Sequence, residues 1–94
     1  MGDNIVAEIE IIKKDAQNFE VTVRDSTTTT HIVNVAKEYY QKLTAGKVSP
    51  ETLIEKSFEF LLERESNTMI LSRFDLRVIG EYFPEYEKSI VKRL

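Results

Sequence analysis

Any chemistry in this sequence has to be built from one histidine, His31, six scattered serines and a row of glutamates at Glu51, Glu55, Glu59 and Glu63. A histidine can shuttle protons or bind a metal. His31 stands between a threonine and an isoleucine, in a chain with no cysteine and no H-E-x-x-H spacing to share a metal ion. It reads as a strand residue whose ring packs inward or meets solvent. None of the serines sits in G-x-S-x-G, and a lone histidine is the whole stock of imidazole bases. Glycines at only positions 2, 46 and 80 cannot form a phosphate-cradling loop or a dinucleotide fingerprint. The expectation is a protein with no catalytic, cofactor-binding or metal-ligating residues, and not an enzyme.

The glutamates and the aromatic residues point instead to contacts with other proteins. Carboxylates four residues apart share one face of a helix and repel one another by roughly 0.2–0.5 kcal/mol per pair. A basic partner would relieve that repulsion; the plain alternative is a solvated helix face. A divalent cation usually needs ligands converging from several elements, and an acid–base pair needs a cleft, whereas one helix is convex. Of four tyrosines and five phenylalanines, only Phe19 precedes Ala36. Most should fill the core, since a small domain without tryptophan needs large side chains. Tyr39 and Tyr40 are adjacent and cannot both point inward from one helix, Phe60 lies off the centre of its segment's apolar stripe and is either covered by a later segment or available to another chain, and Tyr82 and Tyr86 straddle Pro84. Some aromatic surface should therefore remain for an interface. Tyr39, Phe60 and Tyr86, with Glu51, Glu55, Glu59 and Glu63, form the expected partner face.

These residues have to be positioned by two kinds of element. In the first third, Ile5, Ala7, Ile9 and Ile11 alternate with Glu8 and Glu10, and Phe19, Val21 and Val23 alternate with Glu20, Thr22 and Arg24. Period-two alternation predicts two half-buried strands. Asp15, Gln17 and Asn18 suit the turn between them. After a second turn at Asp25 and Ser26, the β-branched run through His31, Ile32, Val33, Asn34 and Val35 predicts a third strand. Links this short permit only antiparallel neighbours, so the three form a meander.

From Ala36 the spacing becomes helical, with Tyr39, Tyr40 and Leu43 on a helix that ends at Gly46. Ser49 is a good N-cap and Pro50 fits the first helical position, so a second helix starts at Pro50 and runs to about Arg64. Ser66, Asn67 and Thr68 break it. In the last third, one or two turns lead to a helix capped by Asp75 and another beginning at Pro84. The expected fold is α+β, one domain over residues 1–94, with a three-stranded antiparallel meander whose apolar face is covered by three to four short helices.

Ninety-four residues with 13 basic and 16 acidic side chains carry a net charge of −3, split −1 and −2 between the two halves. This offers no global attraction for nucleic acid or anionic membranes. No apolar run approaches the roughly 18 residues of a membrane span, and the first residues lack the basic start of a signal peptide, so the expected location is the cytoplasm. No cofactor is expected, and the expected partner is another protein or a second copy of this chain, as a homodimer.

The segment from Thr30 to Arg64, with Val33 and Val35 on a strand, Tyr39, Tyr40 and Leu43 on a helix and Ser49 opening the next helix, resembles the ribbon-helix-helix family of dimeric DNA-binding proteins, which includes many antitoxins. The resemblance implies a ribbon of one strand from each subunit, with Thr30, Ile32 and Asn34 facing the DNA groove. The alternative function is thus a DNA-binding regulator. The stretch FDLRVIGEYFPEY also resembles a segment of small prokaryotic proteins without an assigned role, and implies no chemistry.

Overall fold

The computed structural model describes residues 7–94, so the expected strand position Ile5 lies outside the described residues. Alternation in the first third produces β1 (Glu8–Lys13), β2 (Asn18–Arg24) and β3 (Thr28–Asn34), paired antiparallel in that order. The first turn forms as its residue types suggest: the Asp15 carboxylate accepts from the amides of Gln17 and Asn18, each at 3.0 Å. Register puts Ile11, Val21 and His31 side by side on one face, and Glu10, Thr22 and Thr30 on the other. The first face is buried along β2, where Phe19, Val21 and Val23 are almost wholly inaccessible.

Helix α1 (Lys37–Thr44) ends through Ala45 and Gly46, both at positive φ. The left-handed turn therefore begins one residue before the expected glycine. Helix α2 (Pro50–Leu62) starts at the predicted boundary, with the Ser49 side chain accepting from the Thr52 amide at 3.1 Å. A 3₁₀ turn (Asn67–Met69) occupies the polar break. The last helices are α3 (Val78–Tyr82) and α4 (Tyr86–Arg93), the latter opening two residues after Pro84. Asp75 does not cap α3; its carboxylate accepts from the Arg77 amide within the preceding turn.

One correction concerns the sheet. It has four strands in the order β1-β2-β3-β4 and is mixed, because β4 (Arg73–Asp75) runs parallel to β3, pairing Val33 with Phe74. Parallel neighbours need a long crossover, and residues 35–72, carrying α1, α2 and the 3₁₀ turn, supply one. Three residues are too few to show a period, which is why this strand was invisible to pattern reading. The α+β class stands, and a meander of β1 to β3 is contained in the larger sheet.

A single apolar cluster joins Phe19, Val21 and Val33 of the sheet to Leu53, Ile54 and Phe58 of α2 and Tyr86 and Ile90 of α4. Among the described residues, no helix lies on the opposite sheet face, which carries Glu10, Thr22, Thr30 and Ile32.

Candidate functional site

The residues expected to form a partner face divide between core and surface. Phe60 is fully buried, the first of the two outcomes open to its off-centre position, because α4 and the segment before it close over that flank of α2. Its ring meets Tyr86 edge-on at 5.3 Å between centroids and Phe83 at 5.9 Å, while the Arg64 guanidinium lies 3.6 Å from its centroid. Tyr86 is equally buried: its hydroxyl donates to Ser57 Oγ at 2.6 Å, and the Ser57 hydroxyl in turn donates to the Leu53 carbonyl at 2.7 Å. Tyr39 is buried as well and donates to Glu87 Oε2 at 2.8 Å. The neighbouring Tyr40 resolves the crowding by turning its hydroxyl to the Val48 carbonyl. These three aromatics are removed from any surface of this chain by α4, whose position no local pattern specifies.

The glutamate row is a real surface feature and partly neutralised. Glu63 receives both guanidinium nitrogens of Arg93, at 2.6 and 2.9 Å, and this holds its carboxyl below the ordinary carboxylate range. Glu59 lies 3.6 Å from Lys56. Among the described residues, Glu51 and Glu55 have no ion-pair partner within 4.0 Å. Glu55, Glu59 and Glu63 line a groove of about 360 Å³ against Ala7 and Ile9 at the edge of the sheet.

His31 is buried and both ring nitrogens are engaged. The Leu71 carbonyl can only accept, so Nδ1 carries the proton and donates to it at 2.7 Å, while Nε2 accepts from the Thr29 hydroxyl at 2.8 Å. Asn67 completes the arrangement by donating to Thr29 Oγ1 at 3.0 Å and to the Thr27 carbonyl at 2.7 Å. The imidazole therefore pins residues 67–71 to β3 and presents no free nitrogen. Thr30, Ile32 and Asn34 lie on the helix-free sheet face, with β2 on one side of β3 and β4 on the other. A ribbon with a second copy through β3 would have to displace one of these neighbours. Among the described residues no group of three or more His, Asp or Glu side chains is placed to hold a metal ion, and no helix is long and apolar enough to cross a membrane.

Sequence reasoning missed an apolar cleft. The segment that His31 pins becomes one wall of a cleft of about 190 Å³, formed by Met69 at the end of the 3₁₀ turn and Leu71 beyond it. Phe74 of β4 and Leu61 of α2 lie at its floor, both buried, and Val78 and Tyr82 of α3 form the far wall. Its rim is unusually apolar for a surface: Met69 is 69% exposed, Tyr82 66% and Leu71 46%. Glu65, half-buried just past the end of α2, closes one side. Burial pushes its carboxyl above the ordinary range. In the sequence, the only trace of this site is the MIL run at residues 69–71, which reads as an indifferent stretch of apolar residues until the turn separates the buried Ile70 from its exposed neighbours.

The volume limits what the cleft can take. A cavity of about 150 Å³ accommodates one benzene-sized group, whereas sites for cofactors and drug-sized ligands run to about 300–1,000 Å³. This cleft fits one large apolar side chain. Comparison with known protein families, with curated proteins and with solved structures returns no match for this chain.

Proposed function

We propose that this protein is a non-enzymatic interaction module, working inside the cell, that binds a partner polypeptide by taking one of its large apolar side chains into the cleft between the 3₁₀ turn and α3. The observation that carries this reading is the exposure of Met69, Leu71 and Tyr82 together around a concavity of side-chain size. Isolated exposed apolar residues are ordinary, but a contiguous group around a depression marks a docking site. A buried anchor surrounded by a rim that excludes water is also how binding energy concentrates in protein interfaces.

Amide and methyl resonances followed during titration with N-acetyl-phenylalanine amide and N-acetyl-leucine amide test the reading. Shifts should concentrate at Met69, Leu71, Phe74 and Tyr82, and should be strongly reduced in Leu71→Ser. Perturbations spread evenly over the surface, or confined to the helix-free sheet face, would sink the idea.

A further inference from the structure

We infer that the segment docking in this cleft is basic, with a lysine or arginine within one or two residues of its apolar anchor, held by Glu65. The inference rests on the docking reading above and adds the chemical class of the partner.

Three features of the cleft lead to it. First, Glu65 belongs to the lining, and among the described residues it has no ion-pair partner within 4.0 Å. Partial burial raises its carboxyl, so the ionised form is under-solvated where it stands. Second, this side of the cleft is the C-terminal end of α2, where the helix dipole is negative, and the cation that meets its carbonyls, Arg64 at the Phe60 carbonyl, makes no bond to Glu65. Third, the nearest candidate in sequence, Arg64, is turned elsewhere. Its guanidinium covers the Phe60 ring and bonds to Glu63, to Glu85 and to the Phe60 carbonyl. An apolar anchor entering the cleft removes further water from Glu65. Unless the incoming chain brings a positive charge, docking leaves a carboxylate less solvated than before. A cation beside the anchor turns that cost into a charge-assisted hydrogen bond.

The same charge argument disfavours Tyr82 of a second copy as the anchor. Tyr82, the most protruding ring beside the cleft, follows Glu81, so its insertion into a symmetry mate would bring Glu81 toward Glu65. The acidic groove along α2 is a weaker site for a basic segment, since Arg93 and Lys56 already occupy Glu63 and Glu59.

Selection of a random displayed peptide library on the immobilised full chain, repeated on Glu65→Gln and Leu71→Ser, tests this. Folding of both variants is checked by circular dichroism. Wild-type selections should enrich Phe, Leu, Met or Trp next to Lys or Arg, and a peptide of that kind should bind about tenfold more tightly than its Lys→Glu counterpart. Selections on Glu65→Gln should keep the apolar residue and lose the basic preference. Apolar peptides with no basic preference on wild type, or with one that persists in Glu65→Gln, would overturn the inference while leaving the docking reading intact. Peptides that bind Leu71→Ser as well as wild type would overturn both. A dimer seen by sedimentation equilibrium and abolished by Tyr82→Ser would identify a second copy as the occupant, and would also overturn the basic partner.

Discussion

Phe60 and Tyr82 show how little a residue's type says about its task. Both are aromatic and helical, and both lie in segments rich in glutamate, yet Phe60 is fully buried and Tyr82 is 66% exposed. The difference has measurable consequences in urea denaturation. Phe60→Ala opens a large cavity beside Tyr86 and Phe83 and should cost about 3–5 kcal/mol. Tyr82→Ser removes a solvent-facing ring and should change stability by no more than about 0.5 kcal/mol. Equal losses from the two substitutions would contradict the burial described for this site. His31 makes a related point. Its isolation in the sequence argued against catalysis, while its role as a tie between β3 and the Leu71 carbonyl depends on a contact made 40 positions along the chain. That partner could not be named from neighbours in sequence.

At the scale of elements, legibility followed the range of the forces involved. The opening of α2 was readable because Ser49, Pro50 and the Thr52 amide act within one turn. The strand pattern of β1 and β2 was readable because alternation is a property of the segment itself. Helix α4 was placed two residues early, and its packing was not readable at all, because it depends on bonds to distant elements. Glu87 accepts from Tyr39 of α1 and lies 3.2 Å from Lys42, while Arg93 bonds to Glu63 at the end of α2. The Tyr39 hydroxyl foremost, with Lys42, holds the Glu87 carboxyl below its ordinary range, and Arg93 does the same for Glu63. Carboxyls lowered on folding contribute stability that is fully present above their unfolded pKa, near 4.3, and lost as pH falls through the depressed values. Thermal midpoints should therefore fall on acidification below that range. The acid-dependent part of the fall should shrink in a Glu63→Gln, Glu87→Gln double variant. An acid slope unchanged by the double substitution would show that these ties do not carry it.

The whole molecule is closed by its last third. Strand β4 enters the sheet beside β3, and α4 covers Phe60 and adds Tyr86 and Ile90 to the core that α2 builds against the meander, so the cover is complete only with the last third. This interlocking predicts one cooperative unfolding transition, with coincident curves from far-ultraviolet circular dichroism and tyrosine fluorescence. A helical signal lost well before the β-sheet signal would refute it. The sequence by itself determined the α+β class, the three antiparallel strands, the start of α2 and the absence of any familiar catalytic spacing. Each of these rests on residues within a few positions of one another. Only the tertiary structure decided that the sheet has a parallel fourth strand, that Tyr39, Phe60 and Tyr86 belong to the core, and that Met69, Leu71 and Tyr82 remain outside around a cleft. The reason is physical: periodicity states which side chains share a face, but what lies against that face is set by segments far along the chain, competing for the same apolar surface.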